Sequence, residues 1–119
     1  MKYKGILEKI FWTLSQIKLA HWQETSGYKH LVLDNFYKDL AKEFDRFIET
    51  LQGADNTHLI VSDELFRLRN EIHYEILTKE IYKFLDELRK NFEDRKYLIN
   101  IIDDIDTIVN RNMDLLRKS

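Results

Sequence analysis

Two pairs of side chains in the first half of the chain have the types and spacing of metal ligands. His30 and Asp34 are four residues apart, as are Asp45 and Glu49. Residues at positions i and i+4 of an α-helix lie on one face, one turn apart, so each pair can converge on a single ion. Imidazole and carboxylate ligands with an open position suit iron(II), and by ligand type they also suit zinc or manganese. His21, from a preceding helix, would complete the set.

The two pairs share a helical face but are too far apart to bind one ion. Asp34 and Asp45 are eleven residues apart. On a helix this is about three turns, so the two differ by about 20° around the axis but lie roughly 16 Å apart along it. That separation exceeds the span of one coordination shell. Two copies packed antiparallel about a two-fold axis would bring the His30 end of one helix beside the Glu49 end of the other, forming two equivalent composite sites.

The order and spacing of these residues resemble the ferroxidase motif of the Dps mini-ferritins, the DNA-protection-in-starvation family. The motif here consists of His21-Trp22, a short Gly-containing turn, His30 followed by Asp34, and Asp45 followed by Glu49. The resemblance is dense over residues 14–53 and is a helical-pattern match beyond them. The turn before His30 is shorter than is usual in the family. The motif is also similar to that of short Dps-like proteins of tailed phages.

The resemblance implies both a fold and a function. The fold would be all-α, a single ferritin-like antiparallel four-helix bundle over residues 1–119. His21, His30 and Asp34 of one subunit would face Asp45 and Glu49 of its two-fold mate, and these five residues would bind iron(II) and catalyse its oxidation by oxygen or peroxide. The subunits would form a homodimer through the second helix, and the usual assembly of the family is a dodecameric cage that stores the mineral.

The composition favours helices along the whole chain. It has no proline and three glycines, so few residues interrupt helices, and the alternation typical of strands is absent. The sequence predicts helices over residues 4–25, 27–52, 62–91 and from about 93 onward. Their predicted termini are Gly53 and Asn91 as C-terminal caps, Ser62 as an N-cap, and Asp63, Glu64, Glu93 and Asp94 in first turns. Four amphipathic helices predict an antiparallel bundle whose longest connection follows the second helix.

Each predicted helix carries an apolar stripe at helical spacing, which we expect to form the core. The stripes are Ile6, Leu7, Ile10, Phe11, Leu14 and Ile17, ending on His21; Leu33, Phe36, Leu40, Phe44, Phe47 and Leu51; Leu65, Leu68, Ile72, Ile76, Tyr82, Leu85 and Leu88; and Leu98, Ile102, Ile105, Val109, Asn112 and Leu116. Asn112 inside the last stripe predicts a residue that sets the register between helices.

Composition also argues against several classes of protein. The chain has no cysteine, which excludes disulfides and thiolate metal sites. A formal net charge of −2 gives no general reason to bind nucleic acid, so DNA binding is not expected. No apolar run reaches the ~18 residues of a membrane span, and Glu8 and Lys9 interrupt any signal peptide. The sequence predicts a soluble cytoplasmic protein, which for a viral protein means the host cytoplasm.

Each candidate ligand also has a structural interpretation. A single helical carboxylate is typically solvated, and His21 alone is typical of a core-edge histidine with a backbone partner. His58 is interpreted as a loop residue and His73 as half-buried. Asp103, Asp104 and Asp106 are interpreted as a solvated face, with an iron-entry path as the alternative. The rival function is a non-enzymatic helical assembly module, such as a viral accessory protein, with a structural or vestigial metal at its dimer interface.

Overall fold

The computed structural model describes residues 3–62 and 67–118, and its regular structure is helical. Four helices follow one another along the chain: α1 (Ile6–Gln23), α2 (Gly27–Asp55), α3 (Tyr74–Asn91) and α4 (Lys96–Lys118). These ranges contain no β-strand, which confirms the prediction of an all-α chain with four helices. The predicted helix residues Asp63, Glu64 and Leu65 lie outside the described residues.

The four helices bury their apolar stripes in one shared hydrophobic core. α2 packs against both α1 and α4, and α3 packs against α4. The stripes predicted for the second and fourth helices are buried in full: Leu33, Phe36, Leu40, Phe44, Phe47 and Leu51 on α2, and Leu98, Ile102, Ile105, Val109, Asn112 and Leu116 on α4. Burying one such apolar side chain contributes about 1.5–3 kcal/mol, so α2 and α4 supply much of the stabilising burial.

The other two stripes match the prediction only in part. On α1, Ile6, Ile10 and Ile17 are buried, whereas Phe11 is exposed. On α3 the buried stripe is Leu77, Ile81, Phe84, Leu85 and Leu88, so the predicted core position Ile76 is wrong because it faces solvent. In the portion of the chain that is described, no helix combines the length and apolar content needed to cross a membrane.

The second helix ends later than predicted. Gly53 lies inside α2, and it is Asn56 that adopts the left-handed conformation after the helix, with φ of 48°. Asparagine tolerates this conformation better than most residues. The end is also stabilised from downstream, since the Gln52 side chain accepts a hydrogen bond from the Leu59 N–H at 2.8 Å. The prediction of Gly53 as the cap is therefore wrong.

The third helix begins at Tyr74 rather than at Ser62. Leu68 and Ile72, which were expected on its stripe, instead lie in the non-helical connection between α2 and α3. Three α1 side chains, each one turn from the next, form hydrogen bonds with the backbone of this connection: Glu8 with Ser62 (2.8 Å), Trp12 with Arg67 (2.9 Å) and Gln16 with Arg69 (2.5 and 3.4 Å). These bonds occupy peptide groups that a helix would use, which explains why the described residues 67–73 are not helical.

The fourth helix begins at Lys96, so Glu93 and Asp94 lie in the preceding turn and not in its first turn. Arg95 holds this turn against the end of α2 through an ion pair with Asp55 at 2.7 Å. Asn112 is buried, and its side-chain N–H donates to the Ile108 carbonyl at 2.8 Å within α4. Its polar group is thus satisfied inside its own helix.

Candidate metal centre

His21 and His30 form a stacked pair where α1 turns into α2. His21 lies in the last turn of α1 and His30 in the first turn of α2, and their ring centroids are 3.9 Å apart at an interplanar angle of 27°. Each Nδ1 atom lies next to the backbone carbonyl oxygen of the other histidine, at 3.0 Å for His21 and 2.9 Å for His30. The two residues therefore exchange a reciprocal pair of side-chain to backbone contacts.

The reciprocal contacts fix which ring nitrogens are available. A carbonyl oxygen can only accept a hydrogen bond, so both Nδ1 atoms must donate, and a neutral imidazole then carries its lone pair on Nε2. Within residues 3–62 and 67–118, neither Nε2 atom forms a hydrogen bond. Metal-binding histidines commonly hold their second nitrogen in such a bond to a backbone carbonyl, which sets the tautomer and the ring orientation. The Nε2 atoms are therefore the ring atoms through which this pair could bind a metal.

Local sequence explains why the two histidines meet. The backbone N–H of Glu24 bonds to the Ala20 carbonyl and closes α1. Ser26 then starts α2 as its N-cap, with its side-chain oxygen accepting from the Lys29 N–H at 3.3 Å. A serine N-cap stabilises a helix start by about 1 kcal/mol. The tight turn between these caps places the last turn of α1 beside the first turn of α2, so His21 reaches His30.

Asp34 is the third predicted ligand beside this pair. Its Oδ1 atom lies 4.0 Å from His21 Nε2, and its Oδ2 atom lies 2.9 Å from Lys38 Nζ. The hydrogen bond from Lys38 is the main cause that lowers the pKa of Asp34, with the charges of Lys38, His21 and Lys18 adding to it and desolvation opposing it. The lowered pKa favours the charged form of this carboxylate.

Asp45 and Glu49 lie elsewhere on α2 and do not join this cluster. Both side chains are exposed, and neither forms a hydrogen bond or an ion pair with the described part of the chain. Glu49 lines a cavity of about 370 Å³ together with Gln52 and His58 near the end of α2. Among the described residues of a single copy, no group of three or more His, Asp or Glu side chains could hold a metal ion.

The other candidate residues have structural surroundings. His58 is exposed in the α2–α3 connection, as predicted for a loop residue, whereas His73 is exposed at the start of α3 and was wrongly predicted to be half-buried. The acidic residues of α4 form ion pairs with arginines: Asp104 with Arg46 at 3.1 Å, and Asp103 and Asp106 with Arg89 at 3.2 and 2.8 Å. Their charge is therefore partly neutralised on the protein surface.

The end of α1 that carries His21 is also tied to the start of α3. The Tyr74 hydroxyl donates to Glu24 Oε2 at 2.5 Å. This hydrogen bond is the main cause that lowers the pKa of Glu24, and burial together with the same bond raises the pKa of Tyr74. The two side chains hold the end of α1 against the start of α3.

Two features of the cluster were missed from the sequence. Lys38 follows Asp34 at the i+4 spacing of a helical ion pair, so its contact could have been predicted from spacing alone. The mutual hydrogen bonds of the histidines could not, because they join backbone and side chains across a turn. Two apolar side chains beside the cluster are also unusually accessible, since Trp22 is 69% and Leu31 is 58% exposed.

Comparison with known proteins assigns a family but no activity. A family described as of unknown function, DUF5856, matches residues 21–116. The match begins at His21 and includes all five candidate ligands. No curated protein and no solved structure matches the chain. Because the match covers most of its length, the chain belongs to the family of unknown function DUF5856.

Proposed function

We propose that this protein binds iron(II) at a site shared by two copies of the chain and oxidises it there, as the resemblance to Dps mini-ferritins implies. One observation carries the proposal. The reciprocal bonds of His21 and His30 direct both Nδ1 atoms to carbonyl oxygens, which leaves the lone pair of each ring on Nε2, and the Asp34 carboxylate lies 4.0 Å from Nε2 of His21. Two imidazoles and one carboxylate form half of a site that suits iron(II), zinc or manganese.

The proposal includes a ferritin-like antiparallel arrangement of the four helices. Ion pairs from Asp39 to Arg111 (3.3 Å) and from Arg46 to Asp104 (3.1 Å) support opposite directions for α2 and α4. The bond between Tyr74 and Glu24 supports a start of α3 at the end of the bundle that carries His21. Two helical hairpins joined by a long connection are the connectivity of ferritin-like bundles.

A second copy supplies the rest of the proposed site. A two-fold axis that passes beside α2, level with the midpoint between Asp39 and Leu40, brings Asp34 of one copy level with Asp45 of the other, and His30 level with Glu49. The same axis brings the exposed Leu31 level with Ile48, which is only partly buried in one copy. An apolar contact in the same register as both ligand pairs supports a homodimer through α2.

The charges in this register support a cation between the copies. Asp34 and Asp45 would approach each other as two carboxylates, and their like charges at close range disfavour association. The exposed ammonium group of Lys38, 2.9 Å from Asp34, offsets this repulsion only in part. A divalent ion would offset the repulsion and would tie the two copies together.

Iron would be the substrate of this site rather than a permanent cofactor. The carboxylates of Asp34, Asp45 and Glu49 are hard ligands that favour iron(III) over iron(II), and so lower the potential of the bound ion. Two iron(II) ions would give one electron each to hydrogen peroxide, which takes up two protons and leaves as two waters. With oxygen as the oxidant, four iron(II) ions would supply the four electrons that reduce it to water.

A second candidate is a non-enzymatic assembly module with a structural metal. The observation that favours it is that the histidine pair already fastens α1 to α2 through its own hydrogen bonds, beside the accessible apolar side chains of Trp22 and Leu31. In this function the second copy would cover the same surface, with no oxidation. Nucleic acid is disfavoured as a partner by the net charge of −2.

The test combines anaerobic iron(II) titration, the growth of iron(III) absorbance after peroxide addition, and mass by light scattering. We expect about one or two iron ions per composite site, oxidation in the wild type, and none in His30→Ala/Asp34→Asn. The matched control is His73→Ala/Asp39→Asn, which changes the same residue types outside the cluster. Equal oxidation rates in both double variants would refute the site. Binding without oxidation would favour the assembly module, and mass would distinguish a dimer from a cage of twelve.

A further inference from the structure

Lys38 lies where an incoming cation would bind the Asp34 carboxylate. Its Nζ atom is 2.9 Å from Asp34 Oδ2, while the other carboxylate oxygen, Oδ1, lies 4.0 Å from His21 Nε2. The lysine side chain is 68% exposed and the aspartate side chain only 26% exposed. The ammonium group therefore caps the solvent side of the carboxylate, and the imidazole lies on its protected side.

The ion pair between Lys38 and Asp34 is weak enough for a divalent ion to replace it, yet it still competes with that ion for the carboxylate. Exposed i,i+4 pairs between lysine and a carboxylate are marginally stable, because both groups remain solvated. An ammonium group is a compact point charge on a flexible stem, so Lys38 can leave the carboxylate by rotating into solvent. A divalent ion bound by Asp34 and the histidines would repel a lysine that stayed in place.

We propose that Lys38 acts as an internal counter-cation, which occupies the Asp34 carboxylate until a divalent ion displaces it. By competing for this carboxylate, Lys38 lowers the affinity of the site for the metal. This inference rests on the proposed function, because it requires that Asp34 binds a metal. In the absence of metal, Lys38 neutralises a carboxylate beside the histidine pair. When the metal binds, the lysine charge moves away from the site. Lys38 is thus a residue that sets affinity without touching the bound ion.

The test is calorimetric titration of the full-length protein with iron(II) under argon, comparing the wild type, Lys38→Met and Lys118→Met. Lys118 is a matched control, because it forms an i,i+4 ion pair with Asp114 at the same 2.9 Å and is similarly exposed. Both substitutions remove one positive charge and one ion pair. We expect Lys38→Met to bind iron(II) about three- to tenfold more tightly, the effect of one positive charge on a dication at about 6 Å in a water-like medium with salt. Lys118→Met should stay within about twofold of the wild type, because Lys118 pairs with Asp114, which is not a proposed metal ligand.

The outcomes separate this inference from the proposed function. If the wild type binds iron(II) but Lys38→Met binds with unchanged affinity, or shifts only as much as Lys118→Met, the counter-cation role is refuted and the metal site stands. If none of the three proteins binds iron(II), the metal site itself is refuted, and the role of Lys38 with it. Binding by Lys38→Met alone would support the strongest form of the inference, in which the lysine outcompetes the metal. Circular dichroism of each variant confirms that the helices are intact.

Discussion

If the metal site is shared by two copies, two inactive variants that each lose a different half of it should restore activity when they are mixed. We consider two variants that each lose one half: His30→Ala/Asp34→Asn loses the histidine half, and Asp45→Asn/Glu49→Gln loses the carboxylate half. Each homo-oligomer then has every composite site damaged, so both should fail to oxidise iron(II). Since Asp34 and Asp45 are separated by roughly 16 Å along α2, a single copy cannot use both halves for one ion.

The fraction of the oxidation rate that mixing the two variants should restore follows from the symmetry of the shared site. A composite site takes its histidine half from one copy and its carboxylate half from the other. When the two variants are mixed in equal amounts and assemble at random, each half is intact in one of two copies. About a quarter of the sites should therefore be intact, and about a quarter of the wild-type oxidation rate should return. Purification over both tags removes dimers of a single variant, so mixed dimers should return about a half of the rate. A cage of twelve should stay near a quarter, because nearly every cage contains both variants.

The assay requires mixed oligomers whose formation is verified. The two variants carry different affinity tags, are unfolded and refolded together, and are purified over both tags in sequence. Oxidation is followed by iron(III) absorbance after peroxide addition, with each variant refolded alone as the control. Mixed oligomers without any recovered oxidation would refute the shared site. Oxidation by either variant alone would show that the mutated half is dispensable.

Two further predictions concern the helix ends. Asn56→Ala should lower the free energy of unfolding by about 1 kcal/mol, since alanine is strained at a φ of 48°, whereas Asn56→Gly should not; urea denaturation measures both. Tyr74→Phe removes the hydrogen bond that lowers the pKa of Glu24, and should reduce stability at pH 7 by up to about 1 kcal/mol, because the carboxylate is only partly buried. A lowered folded-state pKa stabilises the protein above the ordinary value of 4.5, and the gain is lost as the pH falls through the lowered value, so wild type and variant should converge in acid, below the ordinary value. A difference that persists at low pH would contradict the role of the charged carboxylate.

The sequence predicted the long, regular parts of the fold well. The stripes on α2 and α4 were correct at every position, because an apolar residue on each turn of a long helix leaves one face to bury. The start of α3 was wrong for a reason that lies about 50 residues away in the chain, where Trp12 and Gln16 bond to the backbone of Arg67 and Arg69. Local propensity cannot reveal such competition for peptide groups.

The candidate site shows the same division between local and distant information. Spacing was sufficient to nominate His21, His30 and Asp34, which the structure brings together. Spacing could not show that the two histidines bond to each other's carbonyl oxygens, because that depends on how the turn between α1 and α2 closes. The metal-binding roles of all five residues stay predictions, and those of Asp45 and Glu49 depend in addition on a second copy.

The hydrogen bonds from α1 to the α2–α3 connection have a consequence for hydrogen exchange. The N–H groups of Ser62 and Arg69 are held by the side chains of Glu8 and Gln16 rather than by carbonyls of a helix. Their protection from deuterium therefore lasts only while α1 stays docked, whereas amides in the middle of α2 are protected by the helix itself. Exchange at Ser62 and Arg69 would be coupled to opening of α1, so this helix and the connection would behave as one cooperative unit of partial unfolding.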